Sequence, residues 1–276
     1  MNTRALWAIA RKDLMAVREN IQVWLPMVVV PLLIGVALPT GFVWMLGSAG
    51  AAGSEADEVL RWLERLPASG LRDRLAGFPT LEQRLAFVMV NYLIAPLFLL
   101  IPLMTASVVS ADSFAGEKER GTLEGLLFSP VDVRTLFWAK VLAAWLPAVG
   151  LSLLSFAAAV VAVNAAGWRL FGGLFFPQAN WFPLIAVVIP AVSLAAILLN
   201  VFVSARVATF QAAYQLGGLV ILPVIALLVG QLSSLLILST PVVSSIGLAL
   251  AAVDLVLLLQ ARRYVDRAAL FESQVR

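Results

Sequence analysis

Apolar residues dominate six long stretches of this chain, and short polar segments divide them. The stretches lie at about Gln22–Leu46, Leu85–Ala111, Leu136–Ala165, Phe182–Val203, Tyr214–Gln231 and Pro241–Gln260. Crossing the hydrocarbon core of a bilayer takes about 20 mostly apolar helical residues, and each stretch is of that order. The last two are nearly continuous in hydropathy, but Gly230-Gln231-Leu232-Ser233-Ser234 and Thr240-Pro241 break them into two short spans joined by a tight turn. The pattern predicts an all-α integral membrane protein, a single transmembrane domain over residues 1–276 with about six spanning helices. Pro26, Pro31, Pro39, Pro96, Pro102, Pro147, Pro190 and Pro223 predict kinks in them.

Two segments outside the spans show helical periodicity. From Arg4 to Ile21, a wheel gathers Leu6, Trp7, Ala10, Leu14, Val17 and Ile21 on one face and Arg4, Arg11, Lys12, Arg18 and Glu19 on the other. Residues 1–21 thus read as an interfacial helix with its cations toward anionic lipid, or as a snorkelling start to the first span. Within the polar segment 47–84, Ser54 and Asp57 form a capping box ahead of a helix from Glu55 to Leu66 striped with Val59, Trp62, Leu63 and Leu66. Thr80 and Gln83 form a second cap at the entry to the second span.

Composition narrows the chemistry. The chain is 62% hydrophobic and 13% charged, with a mean hydropathy of +0.97. It has no Cys and no His, which removes disulfide frameworks, Cys/His zinc sites and every His-based catalytic triad. With no clustered carboxylates in the spans either, no intramembrane enzyme is expected and no cofactor belongs to this chain. The net charge of +3 is not pooled into a nucleic-acid surface. Its distribution sets orientation, because Lys and Arg favour cytoplasmic loops. An N-terminus inside leaves only Arg61, Arg65, Arg72, Arg74, Arg84 and Arg169 outside, of the 19 basic residues. Both termini are then cytoplasmic, the tail 261–276 included, in a multi-pass protein of the cell's inner (plasma) membrane.

The loop 112–135, between the second and third spans, is the most informative. Leu123, Leu126 and Leu127 give a short helix one apolar edge, and Glu117, Lys118, Glu119, Arg120 and Glu124 crowd its start and other face. Ser129-Pro130-Val131-Asp132 reads as a fresh helix start. Such a helix suits docking in a partner's groove, with leucines as anchors and charges fixing register. The alternative is a surface loop held by its own ion pairs. Gly116 to Thr122 has the glycine spacing of a phosphate loop, but it lacks the phosphate-reaching Lys and follows a span instead of a strand.

The run Asp112-Ser113-x-Ala115-Gly116-Glu117-Lys118-Glu119-Arg120-Gly121-Thr122-Leu123-Glu124-x-Leu126-Leu127, followed by Pro130 and Lys140, closely resembles the signature of ABC exporter permeases of the second type. The amphipathic N-terminus, six spans and basic tail share that outline. The resemblance implies that Glu117 to Leu127 form a coupling helix seated in a cleft of a cytoplasmic ABC ATPase. It implies two ATPase copies that hold the ATP and Mg, and a second permease copy or homologue. Several members of that family carry re-entrant helices between the fifth and sixth spans on the outer side, and Gln231 to Thr240 is too short for a pair, which separates this chain from the large-polysaccharide exporters.

Polar residues inside the spans complete the candidates. Asn91, Asn200 and Asp254 are candidate polar groups of a translocation path, and Asn164 is of the same kind. The asparagines equally serve as interhelical hydrogen-bond glue, and Asp254 equally reaches an arginine at the inner interface. The leading reading is an exporter permease moving a small amphiphile, a drug-like molecule or an ion. An ATPase-coupled assembly or mechanotransmission factor shares the same coupling machinery. A gradient-driven secondary transporter would need repeats and midplane ionisable groups, and Asp254 is the one buried acid in the spans.

Overall fold

A computed structural model describes residues 3–49, 69–121, 133–204, 206–207, 209–233 and 236–264. No strand occurs among the described residues. Among the described residues, six helices are long and apolar enough to cross a membrane: Trp24–Ser48, Leu81–Glu119, Arg134–Phe171, Trp181–Ser204, Phe210–Leu232 and Thr240–Ala261. They are called the first to sixth spans. Helix α1 (Thr3–Glu19) precedes them, and a short helix α2 (Ser69–Ala76) lies between the first and second. The amphipathic stretch Glu55–Leu66, residues 122–132 and the tail from 265 lie outside the described residues.

Each span stays helical because leaving backbone groups unpaired in hydrocarbon costs several kcal/mol per group. Pro26 and Pro147 lie inside continuous helices. Pro31 opens a π-helical turn, Pro31–Ala37, and further π turns occupy Met89–Leu93, Asp112–Gly116 and Leu184–Val188. The fifth span changes to a 3₁₀ turn at Gly218–Ile221, just before Pro223. The second span begins at the capping box that its sequence announces, with Gln83 N donating to Thr80 Oγ1 and Thr80 N to Gln83 Oε1. The Gln83 side-chain amide also donates to Leu170 O at 2.6 Å, satisfying a carbonyl at the end of the third span. Gly172, at φ 64°, ends that helix in the left-handed conformation that glycine adopts without steric cost.

The second span is the hub: 67% of its most apolar window is buried, against 17% for the fifth and sixth. It packs on the third and fourth spans, and the sixth lies against the fourth. Small residues allow close approach. A Cβ on Gly35 would meet Ser155 Oγ and Ile101, and one on Gly247 would meet Val187. Helix α1 lies across the third span with Leu6, Ala10, Asp13 and Val17 buried. Because the spans are six, α1, the segment 112–121 and the foot of the sixth span share one side, called the loop end.

Candidate functional site

Two polar clusters organise the bundle, one at each end. At the loop end, the second span turns π-helical over Asp112–Gly116 and reaches the charged run Glu117 to Arg120. Lys140, two turns into the third span, points into this region and is 1% exposed. Its ammonium donates to Ser113 O at 2.7 Å and Glu117 Oε2 at 2.5 Å, and lies 3.5 Å from Asp13 Oδ2. The Phe114 ring lies beneath it, with the centroid at 5.6 Å. Lys12 closes the cluster from α1, donating to Glu117 Oε1 at 2.7 Å with Asp13 Oδ1 at 3.5 Å. Two cations face two anions, so the cluster is neutral in sum while every member depends on the others.

The electrostatics follow from that arrangement. Burial pushes the Asp13 carboxyl above its ordinary value; Lys140 opposes the shift and the Glu117 charge adds to it. Burial works against the Lys12 ammonium, but its hydrogen bond and attraction to Glu117 outweigh that and raise it.

The remaining residues of the run are also tied to neighbours. Lys118 Nζ donates to Val207 O at 3.3 Å, in the connection between the fourth and fifth spans. Glu119 Oε2 accepts from Phe210 N at 2.8 Å, placing a carboxylate at the positive N-terminal end of the fifth span. Thr209 caps the same end through Ala212 N. Arg120 pairs with Asp112 Oδ1 at 3.0 Å. Gly121 follows at φ 70°, turning the chain away from the helix. The run Glu117–Arg120 thus touches α1 and the second, third and fifth spans. Glu117, Lys118, Glu119 and Arg120 are each engaged within the chain. Thr122, Leu123, Glu124, Leu126 and Leu127 lie outside the described residues.

Helix α1 divides the apolar face of its wheel: Leu6, Ala10 and Val17 face the bundle, whereas Trp7 is 58% exposed. Asp13, which the sequence reading passed over, is buried in the same sector. An acid at the spacing of Leu6, Ala10 and Val17 is the signal that marks it, since a carboxylate on a packed face needs a cation opposite.

At the other end, neutral amides do the holding. Asn164 Oδ1 accepts from Phe175 N and Phe176 N at 3.0 and 3.3 Å, and its Nδ2 donates to Val160 O and Phe176 O, both at 2.7 Å. Asn91 Oδ1 accepts from Gln178 N at 3.0 Å, and its Nδ2 donates to Phe87 O and Phe175 O. Asn180 and Trp181 both donate to Asn91 O. Asn91 therefore anchors the segment between the third and fourth spans, above a cluster of Phe98, Phe156, Phe176 and Trp181 rings.

The other polar candidates stand apart. Asn200 donates to Ala196 O, and its Oδ1 lacks a hydrogen-bond partner. That oxygen lies over Gly217, where a Cβ would come within 2.1 Å. Asp254 is buried in the sixth span, and its Oδ1 also lacks a partner. Asn91 belongs to the far clasp and Asn200 to the contact between the fourth and fifth spans.

A family model described as ABC-2 family transporter protein matches residues 7–260. No curated protein and no solved structure matches the chain.

Proposed function

Because the chain belongs to the ABC-2 transporter family, we propose that it is the permease subunit of an ATP-driven exporter whose ATPase is a separate protein. Two permeases pair over two ATPases, which hold the ATP and Mg, and both permease termini lie in the cytoplasm. The loop 117–127 takes up the ATPase movement, and the spans convert it into alternating access. The observation that carries this reading is the anchoring of Glu117–Arg120 to α1 and to the second, third and fifth spans. A push on the loop reaches several spans at once through those contacts. The apolar walls suit a small amphiphile, a drug-like molecule or an ion as cargo.

Glu117 is committed to Lys140 and Lys12, so reversing its charge would damage the permease itself. The leucines give the cleaner test. Replacing Leu123 and Leu126 by Ala removes the apolar anchor outside the hydrocarbon, leaving membrane insertion intact. ATPase copurification and cargo-stimulated ATP hydrolysis in the reconstituted complex both fall, by about 2 kcal/mol or more in association free energy. Full copurification with undiminished stimulation would return the loop to an ordinary turn.

A further inference from the structure

We propose that α1 is a sensor of anionic phospholipid whose state is passed to the segment 112–121 through the Asp13–Lys140–Glu117 cluster. This goes beyond export itself.

The argument begins with how α1 divides its circumference. At 100° per residue, Leu6, Ala10, Asp13 and Val17 fall in one sector, and all four are buried against the bundle. Trp7 and Leu14 stand about a quarter-turn away, seven residues apart, and Trp7 is exposed. Arg11 and Arg18, also seven apart and both exposed, form the next stripe. An apolar edge beside a basic edge, on a helix leading straight into a membrane span, fits the boundary between acyl chains and headgroups. Trp7 and Leu14 enter the apolar layer, and the two guanidiniums meet phosphate oxygens. A zwitterionic surface satisfies the apolar edge alone. Anionic lipid satisfies both, and two basic residues at such a surface strengthen the attraction by roughly thirtyfold.

The buried sector makes this more than an anchor. Asp13 and Lys12, adjacent on α1, reach Lys140 and Glu117, and Lys140 also holds Ser113 O. Ser113 sits in the π-helical turn that carries the second span into Glu117–Arg120. A lipid surface that fixes α1 therefore also fixes the root of the loop, and one that releases it loosens that root.

Hydrogen exchange on the full chain in nanodiscs tests this without an ATPase, so its failure is distinct from failure of the exporter reading. Exchange in α1 and in 112–121 is compared between phosphatidylcholine and phosphatidylcholine with phosphatidylglycerol. Both segments are expected to exchange several-fold more slowly with phosphatidylglycerol, and salt should erode the difference. Arg11→Gln with Arg18→Gln removes the lipid dependence from both, leaving the buried cluster intact. Lys12→Gln with Asp13→Leu removes one charge of each sign from α1 and keeps the Glu117–Lys140 pair. In that variant α1 still responds to phosphatidylglycerol and 112–121 no longer does. Equal exchange of α1 in the two lipids overturns the proposal, as does a response surviving loss of both arginines. A 112–121 response unaffected by Lys12→Gln/Asp13→Leu overturns the transmission. Protection by soluble glycerol phosphate in phosphatidylcholine alone would overturn the membrane surface as its source.

Discussion

The two ends of the bundle are clasped by different chemistries. At the loop end, Lys12, Asp13, Glu117 and Lys140 hold one another through charge, with Ser113 O as the neutral acceptor. At the opposite end, Asn91, Asn164 and Asn180 hold backbone through amide hydrogen bonds. A neutral amide has no charge to desolvate and is indifferent to pH, even where one oxygen, Asn180 Oδ1, is left without a hydrogen-bond partner. A buried charge is tolerable only while its partner stays in place. The amide clasp therefore behaves as a fixed seal, and the ionic cluster responds to any displacement of α1 or the loop root.

The largest effect should come from breaking the ionic end. Lys140→Met leaves Asp13 and Glu117 facing each other without their shared cation. That costs about 3–5 kcal/mol, read as a shift in the denaturant midpoint of the purified chain. Neutralising the acids as well, through Asp13→Asn and Glu117→Gln, recovers most of the loss. A single-variant loss below about 1 kcal/mol would erase the contrast between the ends.

Breaking the amide end should cost somewhat less and stay local. Asn164→Ala removes the one acceptor that the buried N–H groups of Phe175 and Phe176 share, at about 1–3 kcal/mol. Amide exchange at those two residues should accelerate while 112–121 stays protected, with the same loss at every pH. Spread of the effect to the loop end would make the two clasps one unit.

The smallest effect sharpens the comparison through pH. Burial raises Asp13, so the folded chain holds its proton more tightly than the unfolded chain does. Stability contributed at this site therefore falls as pH rises from the unfolded value of about 3.9 through the raised folded value. Asp13→Asn removes that slope and changes stability near neutral pH by about 1 kcal/mol or less. A variant whose stability still declines over the same window would place the titration on another group.

The spans were legible because hydrophobicity is a local property: four of the six stretches match their helices to within about four residues, while the second and third helices run on past Ala111 to Glu119 and past Ala165 to Phe171. The Thr80–Gln83 cap was legible for the same reason, its partners being three residues apart. The ionic cluster was only half legible. Glu117 and Lys140 both belong to the recognisable loop word, but their contact spans 23 positions and that with Asp13 spans 127. No periodicity records such a contact; only the misfit of Asp13 on a packed face hints at it. Asn91 and Asn164 were readable as hydrogen-bonding glue. That they grip a connecting segment and not a neighbouring helix depends on how residues 172–180 fold back, which composition does not encode. Burial of Glu117 likewise depends on α1 lying over it.

The third span's helix, Val133–Phe171, has 39 residues. At 1.5 Å per residue it is about 58 Å long, nearly twice the roughly 30 Å hydrocarbon thickness. Lys140 and Asn164, on this one rod, stand about 36 Å apart, with Pro147 between them. The rod is a lever with a clasp near each tip. A tilt of about 5° about its midpoint moves the two side chains by about 1.6 Å each, in opposite directions. A shift of that size outruns the tolerance of a hydrogen bond, so the two ends of the bundle cannot be repositioned independently.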